Sequence, residues 1–183
     1  MDEAGRGPLA GPVMAAAVVL TEEQKCFLLD MGLTDSKKLS PSKREKLMAA
    51  MLDMGVMWKA QAASNLKIDR INILQASLWA MRKAVSALPC PFSKVIVDGT
   101  FEIPGLAFRQ EALPKADSLV PEVAAASIFA KVLRDRVMVV FDKIYPGYGF
   151  AKHKGYPTKA HIEAILRFGL TPIHRLSFSF KKP

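Results

Sequence analysis

The chain has 183 residues, half of them hydrophobic and 23% charged, a balance that excludes a disordered chain and leaves enough apolar material for one domain with a sizeable core. Lys and Arg outnumber Asp and Glu by 26 to 17, a formal charge of +9 that calls for a polyanionic partner. Two cysteines outside any metal-spaced pair fit a reducing, cytoplasmic setting, and the apolar run 8–20 is too short and too broken by Gly11 and Pro12 to span a bilayer, so nucleic acid is favoured over membrane.

The chain opens with Asp2 and Glu3, followed by Gly5-Arg6-Gly7. Paired carboxylates suit hard divalent cations. A guanidinium between two glycines suits a phosphate or a sugar edge approached by bare backbone. The run 13–20 (VMAAAVVL) has the length and composition of a strand buried on both faces. A helix opens at Ser40-Pro41, turns Leu47, Met48, Met51 and Leu52 inward, and meets its stop at Gly55. A strand follows over 56–63, then a helix over 68–88 with Ile71, Leu74, Leu78, Met81 and Val85 on one face. Met48, Met51, Met54 and Trp79 read as core.

Residues 94–99 (KVIVDG) form a strand ending in Asp98 and a turn glycine, and 106–110 offers a further strand. Asp117 precedes a long helix over 121–142, a glycine-rich loop spans 145–157, and a last helix covers 158–168 with Gly169 as its stop. Strands and helices in this order describe a mixed α/β domain over 1–183, with 158–183 as a short helical C-terminal segment. Asp2, Glu3, Asp98 and Asp117 thus all fall at strand edges, a strand end or ahead of a helix, where ligand sites in α/β proteins form. Singly, Asp98 also reads as a turn residue and Asp117 as a cap. Side chains alternate along a strand, so Asp2 and Glu3 reach one metal only if the chain twists or Glu3 adds its carbonyl. Lys37, Lys38, Lys43, Arg44 and Lys46, and then Lys152, Lys154 and Lys159, form two basic clusters suited to phosphates. His153, His161 and His174 show no mutual metal spacing.

DEAGRGPLAGPV (2–13), DSKKLS (35–40), INILQA (71–76), VDG (97–99), PEVAAASIFAKVLRDR (121–136) and YGFAKHKGYPT (148–158) together resemble the ribonuclease HII family over nearly the whole chain. The resemblance implies an RNase H-like fold, a mixed central sheet flanked by helices. It also implies a metal-dependent, single-domain monomer: an endoribonuclease that cleaves RNA in RNA–DNA hybrids and incises 5′ of single ribonucleotides in duplex DNA. By the same resemblance Asp2, Glu3, Asp98 and Asp117 hold two Mg²⁺ or Mn²⁺ ions, and Gly5, Arg6 and Gly7 read the ribose 2′-hydroxyl. Tyr156 stacks on the sugar at the RNA-to-DNA junction, and Ser36 and Lys37 grip the backbone. Three departures stand out. Only Met1 precedes the acidic pair, so the first strand is expected to be truncated and frayed. Ala116 stands where glycine is usual, and Leu176 where arginine is. Two competing readings are an inactive module that holds hybrid duplex, which has no use for four carboxylates, and a transposase-type nuclease, which leaves GRG and KGYPT unaccounted for.

Overall fold

The computed structural model describes residues 1–179. Its elements are β1 (Asp2–Ala4), β2 (Val13–Val19), α1 (Glu22–Asp30), α2 (Pro41–Asp53), β3 (Met57–Ala63), α3 (Asn65–Ser86), β4 (Val95–Asp98), β5 (Gln110–Leu113), α4 (Pro121–Ile144), α5 (Phe150–His153) and α6 (Lys159–Phe168). Short 3-10 turns at Ser36–Lys38 and Ala116–Ser118 complete the set.

Strand β2 is the centre of the molecule, and its sequence explains why. Val13, Ala15 and Ala17 pack with Ile68, Ala76 and Met81 of α3, whereas Ala16, Val18 and Leu20 pack with Leu47 and Met51 of α2 and Phe129 of α4. Every other residue serves the opposite face, so the strand has no polar side. The small alanines let α3 and α4 approach it closely from either side. β2 pairs antiparallel with β1 (Asp2↔Ala16) and with β3 (Val13↔Ala63), while β4 pairs parallel with β5 (Val95↔Gln110).

Two backbone bonds join these sheets at Met1. Its nitrogen donates to the Ile96 carbonyl at 2.7 Å, and the Asp98 N–H donates to the Met1 carbonyl at 3.0 Å. The expected fraying of the first strand is therefore not observed. β1 pairs with β2 along one edge while Met1, just before it, is tied to β4, and Asp2 is only 4% exposed.

Three expectations are corrected and one helix is added: α1, which Thr21 and Gln24 open with a reciprocal capping box. The helix expected over 68–88 begins at Asn65 and breaks at Asn72 (φ 64°), whose side chain caps the second half by accepting from the Gln75 N–H at 3.0 Å. Asparagine tolerates this left-handed backbone and supplies a cap, so one periodic pattern conceals two helices. The strand expected over 106–110 forms at Gln110–Leu113, because 100–109 is a loop pinned by Gln110 against the Ile103 backbone (2.7 and 3.0 Å). The loop expected over 145–157 contains α5.

The C-terminal segment is helical only over Lys159–Phe168. Residues 170–179 run back across the start of the chain, where Gly11 donates to the Ile173 carbonyl and Arg175 to that of Leu9. Residues 180–183 of that expected segment lie outside the described residues. Met48 and Met51 are core as expected, and Met54 and Trp79 pack half-buried against it. Among the described residues no helix is long and apolar enough to cross a membrane.

Candidate active site

Asp2, Asp98 and Asp117 converge. Each offers a carboxylate oxygen such that all three lie within 4.8 Å of one another. Three separate devices put them there. Asp2 sits on β1 between β2 and β4 and accepts the Glu3 N–H at 2.7 Å. Asp98 ends β4 and accepts the Ala116 N–H at 2.8 Å, which ties the strand end to the 3-10 turn bearing Asp117. That turn is entered through Lys115 in the left-handed conformation (φ 62°).

Glu3 is not in this triad. Strand alternation turns it away from Asp2, toward Arg6 (Nη1 to Oε1, 3.4 Å). It lines a cleft of about 150 Å³ together with Arg6, Ser77, Asp98 and Phe101. The Ser77 hydroxyl there is buried with no hydrogen-bond partner among the described residues.

Crowding and burial set the electrostatics. Burial, then the neighbouring Glu3 and Asp98 charges, raises the Asp2 carboxyl well above the usual range. Burial raises Glu3, against the pull of Arg6. Asp117 is likewise raised by burial and by Asp98, with Lys37 opposing. Burial pulls the Lys37 ammonium down, but Asp117, Asp2 and Asp35 together outweigh it and leave it raised. Oxygen donors this close, at a loss for positive charge, match the demand of a hard divalent cation.

Lys37 Nζ lies 3.3 Å from Asp117 Oδ2, with its side chain 74% exposed. Asp35 shapes its turn by accepting the Lys37 N–H at 2.9 Å. Ser36, expected beside it at the substrate, is buried: its N–H donates to Ser127 Oγ and its carbonyl accepts from Arg44. Arg44 is buried as well, so the first basic cluster presents Lys37, Lys38 and Lys46 outward but not Arg44.

The Gly5-Arg6-Gly7 turn and Tyr156 share one surface. The Tyr156 ring edge lies 3.6 Å from where a Gly7 Cβ would stand. Two buried arginines, neither marked by its neighbours in the chain, build this turn. Arg175 donates to the carbonyls of Gly5 (2.6 Å), Arg6 (2.9 Å) and Gly11 (3.0 Å), and Arg134 to those of Pro12 and Ala10. Gly5 (φ 97°) packs on the Arg134 guanidinium, where any Cβ would overlap it. On the other side a Cβ at Gly155 would come within 2.5 Å of the Ala10 carbonyl, and the Gly155 carbonyl accepts the Leu9 N–H. Only glycine allows the two loops to meet this closely.

The three histidines, assigned no role from their spacing, also come together. His153 stacks on His161 with centroids 4.4 Å apart, and His161 Nε2 lies 3.1 Å from His174 Nε2. The signal that would have found them and the arginines is long-range contact, which spacing along the chain does not carry.

A mixed sheet bearing clustered aspartates at a strand edge, a strand end and a turn defines a nuclease of the RNase H-like class. The sequence matches the family Ribonuclease HII over residues 1–181, and the chain belongs to that family. A curated Ribonuclease HII from Coxiella burnetii is 49% identical over 178 residues, covering 97% of this chain and 86% of the relative. The crystal structure of ribonuclease H2 from Pyrococcus horikoshii OT3 superposes with a TM-score of 0.80 at 31% identity, covering 97% of this chain and 91% of that one. The RNase HII of a PCNA:RNase HII complex from Archaeoglobus fulgidus gives 0.75 at 26% identity, covering 96% and 90%. The chain is thus a ribonuclease H, an endoribonuclease for RNA–DNA hybrids.

Proposed function

We propose that this ribonuclease hydrolyses the RNA strand of hybrids and also incises duplex DNA 5′ of single embedded ribonucleotides, leaving 3′-hydroxyl and 5′-phosphate ends. The observation that carries this reading is the adjacency of three parts: the aspartate triad, Glu3 paired with Arg6, and the Arg6-Gly7-Tyr156 surface.

Asp2, Asp98 and Asp117 are the proposed metal ligands, with Glu3 completing the set from the far face of β1. Two Mg²⁺ or Mn²⁺ ions held there would supply water activation and neutralisation of developing charge in an in-line displacement. The chain's own residues do the rest. The backbone of Gly5 to Gly7 is held open by Arg134 and Arg175 and meets the ribose 2′-hydroxyl, the one group that separates RNA from DNA. Tyr156, 41% exposed, offers its ring to the next sugar. Lys37 holds a phosphate beside Asp117, and Lys38 and Lys46 extend the contact along the backbone without reading sequence. Ser36 serves from beneath, by holding the Lys37 turn through its backbone.

In this reading the chain works as a single-domain, monomeric, cytoplasmic enzyme of ribonucleotide removal and DNA replication. The test is cleavage of four duplexes (hybrid, single-ribonucleotide, all-DNA and all-RNA) with Mg²⁺, Mn²⁺ or a chelator. Cutting of the first two alone, abolished by chelation, is expected. Cutting that persists in chelator would overturn the metal assignment, and an intact single-ribonucleotide duplex would remove the incision activity.

A further inference from the structure

His161 and His174 hold the tyrosine of the proposed junction surface through a hydrogen-bond chain whose direction is set from both ends. At one end His174 Nδ1 meets Thr171, whose backbone N–H donates to it at 2.8 Å, with the hydroxyl also at 2.8 Å and the carbonyl farther off at 3.3 Å. A backbone N–H can only donate, the hydroxyl can turn to donate as well, and both are nearer than the carbonyl, so the contacts favour a bare His174 Nδ1 with its proton on Nε2. At the other end His161 Nδ1 lies 2.9 Å from the Tyr156 carbonyl. A carbonyl can only accept, so His161 carries its proton on Nδ1 and leaves Nε2 bare. The two Nε2 atoms face each other at 3.1 Å, one with a proton and one without. Both ends therefore demand the same pair of tautomers, and the middle bond runs from His174 to His161.

His153 braces the same turn by parallel logic. Its Nδ1 accepts the Gly155 N–H at 3.2 Å, so its Nε2 donates to the Tyr148 carbonyl at 2.7 Å. Its ring stacks on His161, and Phe150 presents its edge to both imidazoles. His161 is fully buried and His174 is 2% exposed. A second proton on His161 would set two N–H groups head to head at 3.1 Å, and one on His174 would face the Thr171 N–H at 2.8 Å, so the chain forms only when both are neutral. The Tyr156 carbonyl also accepts the Thr158 N–H at 2.8 Å, and this pair of donors fixes the peptide from which the phenol ring projects toward Gly7.

We propose that His161 and His174 are positioning residues for substrate discrimination: the one-directional chain from Thr171 through both imidazoles sets where the Tyr156 ring stands against the Gly7 surface. The proposal rests on the reading of Tyr156 as the residue that meets the sugar. It assigns the histidines no contact with substrate and no proton transfer in the reaction. A ring displaced by about 1 Å misplaces the junction, a shift that costs on the order of 10²-fold in rate.

The test combines a coupling cycle with a direct look at the protons. His161→Phe keeps a flat ring but loses the donor. His161→Asn returns an N–H near the position of Nδ1. With folding checked by circular dichroism, His161→Phe is expected to lower kcat on a single-ribonucleotide duplex by ten- to a hundredfold, while affinity for plain DNA duplex changes less than twofold. His161→Asn is expected to recover most of the loss. In a Tyr156→Ala background His161→Phe should cost less than a further twofold, because its effect runs through that ring. Nitrogen-15 NMR of the free, full chain at neutral pH should find His161 protonated on Nδ1 and His174 on Nε2. The opposite tautomers, additive losses in the cycle or no recovery by His161→Asn would overturn the clamp. If Tyr156→Ala alone cleaves the single-ribonucleotide duplex normally, the fault lies in the sugar-contact reading instead.

Discussion

Asp98 accepts the backbone N–H of Ala116 at 2.8 Å, so the carboxylate that ends β4 also anchors the turn that presents Asp117. One side chain thus serves both the acidic triad and the local fold. Substitution separates the two duties. Asp98→Asn keeps an acceptor oxygen and should unfold at the temperature of the parent chain, yet lose nearly all turnover with Mg²⁺. Asp98→Ala should lose turnover and also about 1 kcal/mol of stability, a fall in Tm of roughly 2–4 °C for a chain of this size. Thermal scans and steady-state assays of both variants measure this. Substantial Mg²⁺-dependent activity in Asp98→Asn would remove Asp98 from the metal site.

Metal should stabilise the fold, because three like charges within 4.8 Å repel one another until a cation joins them. A site filled to a hundred times its dissociation constant contributes about 2.7 kcal/mol. Mg²⁺ or Mn²⁺ is therefore expected to raise Tm at pH 7 in the parent chain and hardly at all in Asp98→Asn. The gain should shrink as pH falls, since the raised Asp2 and Asp117 carboxyls take up protons above the usual carboxylate range and protons then compete with metal. Scans with and without metal across pH 5–8 check the direction. An equal gain at every pH would contradict it.

The buried imidazoles make a separate acid-stability prediction. Burial depresses His161 from its ordinary 6.5 to about 4. Between those values the unfolded chain binds a proton that the folded chain refuses, so stability is full above about pH 6.5 and is lost as pH falls toward 4. The slope is at most about 1.4 kcal/mol per pH unit. The acidic triad pulls the other way over part of this range in metal-free protein, so the quantity to measure is the difference between the parent chain and His161→Phe. Denaturant unfolding at several pH values should show the parent losing more stability than the variant between pH 6.5 and 4. Parallel curves would mean that His161 is not held neutral.

Arg175 is expected to be the most costly single substitution in the substrate surface. Arg175→Ala leaves the carbonyls of Gly5, Arg6 and Gly11 without their donor, at about 1–3 kcal/mol for each that water does not reach. Arg175→Lys should rescue little, because a single ammonium cannot reproduce the planar fork that meets all three. A Tm of either variant within 2–3 °C of the parent would show that the turn holds itself.

What the sequence made legible follows from how locally each feature is encoded. β2 was readable because VMAAAVV is apolar at every position, and a helix at Ser40-Pro41 because its cap and first turn are adjacent in the chain. Asp2, Asp98 and Asp117 were legible as candidates because each sits at a boundary that composition marks. Their mutual distance was not. The break at Asn72 stayed hidden because the apolar spacing on either side of it still fits one helix. The roles of Arg134, Arg175 and the three histidines were illegible for a different reason: their partners lie across the fold, and nothing near them in the chain shows that they are buried. Resemblance placed Ser36 of DSKKLS with Lys37 on the substrate backbone, but a bond to Ser127 across the molecule draws it inside.

Lys37 separates electrostatic grip from chemistry. Its ammonium is exposed beside a buried carboxylate, and Lys37→Ala should weaken binding to hybrid and DNA duplex alike. The slope of log affinity against log salt should fall by about one unit at most. Binding isotherms at several salt concentrations give that slope. A loss confined to ribonucleotide-containing duplex would instead make Lys37 a reader of the sugar.

The most direct measurement maps the cut and its ends on a DNA duplex that carries one ribonucleotide, incubated with the protein and Mg²⁺ or Mn²⁺. Hydrolysis at a carboxylate-held metal site predicts incision 5′ of the ribonucleotide, with a 3′-hydroxyl on the upstream fragment and a 5′-phosphate on the ribonucleotide. A 2′,3′-cyclic phosphate, with cleavage on its 3′ side, would show that the 2′-hydroxyl is the nucleophile and would contradict the account.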